Sequence, residues 1–161
     1  MRKLLEHTLE YLENITKEDF GDGREMRSPP VRVISFQVVQ HEGLVEITSS
    51  VINTNENSTY DVQIHIHNLG PDGGDSALSA VSGGIIEFNE RELKERDVQV
   101  VCNCEDFYWR FSYWNAENGS LLGPRPKPYK KLTDRPPVNP TKTPGICKHI
   151  ISVKRHLEKV I

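Results

Sequence analysis

The chain carries three cysteines, Cys102, Cys104 and Cys147, and a histidine, His149, two places after the last of them. The pattern is C-x-C followed later by C-x-H. Cysteines two apart on extended backbone project to the same side, so Cys102 and Cys104 can reach one ion together. Cys147 and His149 at the opening of a helix can supply the other two donors. Soft thiolates with one imidazole, closed into a tetrahedron, are the set that structural zinc prefers. The simpler alternative is three buried cysteines and an ordinary surface histidine. A free thiol does pack well as a small hydrophobe, but that alternative leaves the two-plus-two pairing without a cause.

Catalytic zinc sites keep three protein ligands and an open position, whereas four good ligands fill the shell. Glu105, beside Cys104, is placed where a catalytic base would be wanted, yet an acidic residue there is more commonly a solvated surface group. The expectation is therefore a non-enzymatic protein with no catalytic residues. His65 and His67 form an H-x-H pair, but they alternate with Ile64 and Ile66 and sit on the wet side of a strand with no third ligand fixed by the sequence. Phosphate-cradling glycine loops, a G-x-S-x-G elbow and H-E-x-x-H are all missing from the sequence.

At the four metal-ligand positions the sequence resembles the SWIM-type zinc finger, whose pattern is C-x-C, a variable gap, then C-x-H before a helix. Cys102-Asn103-Cys104 follows the apolar run VQVV, and Cys147-Lys148-His149 precedes IISVKRHL. The resemblance implies zinc as cofactor, held by Cys102, Cys104, Cys147 and His149. The gap of 42 residues between Cys104 and Cys147 is longer than usual for the family. Over residues 98–160 the aromatic stretch after C-x-C, the Pro/Asn-rich loop and the closing C-K-H are also similar to C-terminal zinc modules of some tailed-bacteriophage virion proteins. That likeness implies a capsid, neck or tail component.

The elements that must position these residues follow from periodicity. Residues 2–16 read as a helix with Leu5, Leu9, Leu12 and Ile15 on one face and Glu6, Glu10 and Glu13 facing out. Lys17 to Pro30 reads as a linker, which would make that helix a detached arm. From Val31 the period changes to two. Ile34, Phe36 and Val38 share a face of a first strand, Leu44 to Ile52 form a second, and Tyr60, Val62, Ile64 and Ile66 alternate in a third. Residues 69–84 form a Gly-rich loop, and Asn89 with Glu92 signals a short helix over 90–97. Val98 to Cys102 is a strand and Glu105 to Glu117 an aromatic helix, with Trp109 and Tyr113 on its exposed face. Seven of the ten prolines lie between Gly123 and Pro144, which forbids helix or central strand there. Ile146, Ile150, Val153 and Leu157 restore helical spacing to the C-terminus.

The fold class expected is α+β: an antiparallel β-meander with an N-terminal helical arm and a C-terminal zinc-stabilised lobe. The expected segments are 1–30 (arm and linker), 31–97 (meander, Gly-rich loop, short helix) and 98–161 (zinc module with a basic Pro-rich insertion). With 161 residues and 36% hydrophobic content the core should be modest. The sequence has no apolar run of about 20 residues and no signal-peptide pattern, so it reads as soluble and cytoplasmic, or as part of a virion. The net charge of −3 hides a split, with residues 1–124 carrying −11 and residues 125–161 carrying +8. A basic quarter on an acidic body can contact nucleic acid, dock on another subunit, or fold back on its own body. The function expected is a structural or assembly protein binding other protein subunits. The alternative is a zinc-dependent nucleic-acid-binding protein using residues 125–159.

Overall fold

The computed structural model describes residues 8–20, 31–41, 44–54, 57–67, 96–127 and 139–160. Its elements are α1 (Leu9–Phe20), β1 (Val31–His41), β2 (Leu44–Asn53), β3 (Ser58–His67), β4 (Val98–Cys102), a π-helical turn (Phe107–Ser112) running into α2 (Tyr113–Glu117), and α3 (Lys148–Val160). The four strands make one antiparallel sheet in the order β1-β2-β3-β4. With helices at both ends of the chain, the fold is α+β, as the periodicity predicts.

Register decides which side of the sheet is core. Val45 pairs with Ile66, Ile47 with Ile64 and Ser49 with Val62, while Ile64 pairs with Val100 and Val62 with Cys102. All of these are buried, and α3 lies across this face, touching every strand. Ile150, Val153 and Leu157 of α3 are fully buried, which fits their helical spacing. Each large apolar side chain so buried contributes about 1.5–3 kcal/mol. Beyond β4 the sheet is prolonged by a short parallel bridge, in which the Val100 amide donates to Ser120 O (2.9 Å) and the Leu122 amide to Val100 O (3.0 Å).

The first strand corrects the sequence reading. A β-bulge falls between Val33 and Ser35, so Val33 opposes Val51 but Phe36 opposes Ser49. The extra residue, Ile34, is turned out and 48% exposed, while Val31, Val33, Phe36 and Val38 pack against the core. A strict alternation cannot survive a bulge, because one added residue exchanges the two faces. Ser35 fixes the irregularity: its carbonyl accepts from Ser49 Oγ at 2.6 Å, and its hydroxyl accepts from the Ser50 amide at 3.0 Å.

Residues 2–7 of the expected first helix and 21–30 of the expected linker lie outside the described residues; the described part differs from expectation in two ways. At the start of the described helix the Thr8 hydroxyl accepts from the Tyr11 amide at 3.1 Å and the Thr8 carbonyl from the Leu12 amide at 3.0 Å. It then runs through Lys17 to Phe20, residues expected to be linker. Finally, it is not detached. Leu9 and Leu12 belong to the same core cluster as the sheet and α3. Glu13, expected to face out, is 5% exposed and pairs with Lys154 at 2.9 Å and Arg155 at 3.0 Å. The basic C-terminal quarter thus folds back, at least there, on the acidic body. The Gly-rich loop 69–84 and most of the 90–97 helix lie outside the described residues; Arg96 and Asp97 are described and are not helical.

Candidate metal centre

Cys102 is the last residue of β4 and Cys104 immediately precedes the aromatic helix. Asn103 between them turns outward and clamps the chain to β3: its side-chain carbonyl accepts from the Asp61 amide at 2.8 Å, and its own amide donates to Asp61 O at 3.2 Å. The two cysteine side chains are thereby held inward, 3% and 4% exposed.

Cys147 and His149 come from the other end of the core. The Cys147 carbonyl accepts the first α-type bond of α3, from the Ile151 amide at 3.0 Å, so its sulfur sits at a helix N-terminus that favours negative charge. The approach to Cys147 is built from three buried contacts. Asn115 of α2 grips Gly145 on both sides, donating to its carbonyl (2.9 Å) and accepting from its amide (2.8 Å). Thr16 of α1 accepts the Ile146 amide at 3.0 Å. Gly145 has no room for a side chain: a Cβ there would lie 2.5 Å from both Phe111 Cε1 and Thr16 Oγ1. Upstream, Asn139 donates to Arg110 O and Thr143 O, each at 2.8 Å, and Asp19 accepts from Thr143 Oγ1 at 2.8 Å. The end of the Pro-rich insertion is irregular, as expected, yet tightly fixed.

These supports bring the four predicted ligands together. One donor atom from each of Cys102, Cys104, Cys147 and His149 lies within 4.8 Å of all the others, and all four residues are buried. His149 is oriented by a neighbour that the sequence pattern does not reveal. Asn53, at the end of β2 and 4% exposed, accepts from His149 Nε2 at 2.7 Å. A side-chain carbonyl can only accept, so Nε2 carries the hydrogen and Nδ1 is left as a free donor atom. That atom faces Cys102 Sγ at 3.8 Å and Cys147 Sγ at 3.9 Å. The Tyr60 ring covers the imidazole, with centroids 4.4 Å apart. The Phe107 amide donates to Cys104 Sγ at 3.3 Å, a bond that favours thiolate.

Three thiols this close cannot all ionise without a cation. The hydrogen bond to Cys104 pushes the Cys102 thiol up, and burial adds to this. Cys104 is held far below the usual thiol range, first by the hydrogen bond from Cys102, then by Cys147 and His149. Burial pushes Cys147 up, reinforced by both other cysteines. A bound divalent cation inverts this balance and holds all three as thiolates. The group can therefore hold a metal ion. An open cleft of about 580 Å³, lined by Asn53, Tyr60, Asn103, Glu105 and Lys148 among others, reaches Cys104 and Cys147 and gives an ion a path in.

The remaining candidates fall elsewhere. His65 and His67 are on the outer sheet face, away from the cluster, where burial pushes the His65 imidazole down against the opposing pull of Glu46. Phe107 and Phe111 are core, whereas Tyr108 and Trp109 are 49% and 53% exposed; Tyr113 is half-buried, with Arg125 over its ring. Arg125 pairs with Glu117, and Lys130, Lys131 and Arg135 lie outside the described residues. Among the described residues, no helix is long and apolar enough to cross a membrane. Compared with known proteins, the chain matches no family model, no curated protein and no solved structure. The likeness to SWIM-type fingers therefore stands on the four ligands and their placement alone.

Proposed function

We propose that the protein is a non-enzymatic assembly or interaction protein whose fold is tied together by one structural zinc ion on Cys102, Cys104, Cys147 and His149. The observation that carries this reading is the buried Cys3His group itself. In a tetrahedron with Zn–S bonds of about 2.3 Å and Zn–N of about 2.0–2.1 Å, donor atoms are about 3.5–3.8 Å apart. The His149–Cys102 and His149–Cys147 separations of 3.8 and 3.9 Å are a few tenths of an ångström wider than the nitrogen–sulfur edge of about 3.6 Å, so a bound ion would draw these donors slightly inward. Three thiolates and an imidazole favour zinc over harder cations, and four protein ligands leave no position for a reacting water. The ion's task is then mechanical: it joins the end of β4 to the start of α3 across an insertion containing seven prolines.

An interaction role is supported by the exposed Tyr108–Trp109 pair beside Arg110, residue types that dominate the binding energy of protein interfaces. A place in a tailed-phage particle is the specific form of this role suggested by the sequence likeness over residues 98–160. The competing nucleic-acid reading loses some of its charge to internal pairs, since Lys154 and Arg155 bind Glu13 and Arg125 binds Glu117.

Sedimentation of the zinc-loaded chain, alone and with a short DNA duplex at rising salt, tests the role. An assembly protein self-associates, and its mass is insensitive to salt. A monomer whose DNA binding falls steeply with salt contradicts this reading and establishes the nucleic-acid alternative.

A further inference from the structure

The outer face of the sheet brings together a second set of metal-ligating side chains that has no part in the buried cluster. Glu46 on β2 stands directly opposite His65 on β3, and His41, the last residue of β1, reaches the same carboxylate from the other side. The two carboxylate oxygens are shared between the imidazoles: His41 Nε2 is 2.9 Å from Glu46 Oε2, and His65 Nε2 is 3.3 Å from Oε1. The sequence offered only H-x-H on one strand. The fold supplies the missing partners from two neighbouring strands.

Those two separations have the size of ligand edges. Around an ion with bonds of about 2.0–2.2 Å, adjacent nitrogen and oxygen donors are about 2.9–3.5 Å apart in octahedral or tetrahedral shells. His41 is half exposed, and binding requires its ring to turn toward His65 to close the remaining edge. Each neutral ring can move its hydrogen from Nε2 to Nδ1, freeing Nε2 without a net loss of protons. His67, the next residue on the same face of β3, contacts Gln99 at 3.0 Å and is not needed as a ligand.

We propose that His41, Glu46 and His65 form a second, solvent-open metal site for a divalent late transition ion of the zinc, nickel and copper class. Two imidazoles and one carboxylate suit such ions, and solvent completes the shell. The site does not depend on the buried Cys3His group, and either can exist without the other.

The test is a calorimetric zinc titration of the full chain already carrying one equivalent of zinc, repeated on His41→Asn, Glu46→Gln and His65→Asn. All three substitutions are on the wet face of the sheet, and each variant is first checked for unchanged circular dichroism and retention of the first equivalent. The wild-type chain takes up a second equivalent, and each substitution weakens that event by about tenfold or more. A wild-type chain that stops at one equivalent overturns the proposal. So does a second event that keeps its affinity in any of the three variants. If the chain retains no first equivalent but shows a variant-sensitive event, the buried zinc centre fails while the outer site stands.

Discussion

Replacing Asn53 with Ala tests how the fold orients His149, the imidazole proposed to bind zinc. The side chain makes a 2.7 Å bond to His149 Nε2 with both partners nearly inaccessible, at 4% and 3% exposure. The Nε2 hydrogen then loses its acceptor, at a cost of about 1–3 kcal/mol less whatever water entering from the adjoining cleft restores. The imidazole can escape that cost by moving the hydrogen to Nδ1, but Nδ1 is then unable to bind the ion. Loss of such an orienting partner weakens metal binding by about 10–100-fold, or about 1.4–2.8 kcal/mol. The Asn53 backbone bond to the Asn57 amide, at 2.8 Å, is untouched by the substitution, so the β2–β3 turn stays in place. Zinc affinity would be read by competition with a chromophoric chelator, for wild type, Asn53→Ala and Asn53→Asp. The carboxylate variant restores an acceptor and should bind at least as tightly as wild type. An Asn53→Ala protein whose zinc affinity stays within about twofold of wild type would refute the argument.

Other consequences concern the supports of the site. Gly145→Ala forces a Cβ against Phe111 and Thr16, both themselves buried, and should cost about 1–3 kcal/mol in denaturant unfolding; an unchanged midpoint contradicts the close approach. Asn115→Ala leaves both polar groups of Gly145 unpaired in the core and should cost about 2–4 kcal/mol, with zinc affinity falling in the same variant. Glu13 is also pH-sensitive. Burial alone would raise its pKa, but hydrogen bonds and charge from Lys154, with Lys17 and Arg155, outweigh burial and hold it at about 2. A depressed carboxylate stabilises above its unfolded pKa and loses that stabilisation as pH falls through the folded value. The stability advantage of wild type over Glu13→Gln should therefore shrink as pH drops from about 4.5 towards 2, and a difference that stays constant across that window excludes the linkage.

How much of this was legible in the sequence depends on how local each cause is. Val62, Ile64 and Ile66 alternate without interruption, and β3 is where the periodicity places it. The convergence of Cys102, Cys104, Cys147 and His149 was legible too, because donor chemistry and short spacing are carried by neighbouring residues. Ile34 misled because a bulge changes face without leaving a mark in the hydrophobic pattern. Glu13 misled for a different reason. A glutamate between Leu12 and Asn14 reads as solvated unless a cation waits for it in the core, and Lys154 and Arg155 arrive from the far end of the chain. Asn53 and Asn115 were silent for the same cause: each is an ordinary polar residue until its distant partner, His149 or Gly145, is set beside it. The arm expected from the charged 17–30 stretch was likewise a local inference, and the buried contacts of Leu9, Leu12 and Thr16 outweigh it.

The central claim is the buried zinc centre, and metal content of the folded protein tests it most directly. Protein purified without added metal should contain zinc on its three thiolates and His149, with the thiols unreactive until a chelator removes the ion and the packing of α3 on the sheet is lost with it. Cys147→Ser should lower both zinc content and stability together. A folded, metal-free chain with all three thiols titratable would contradict the account.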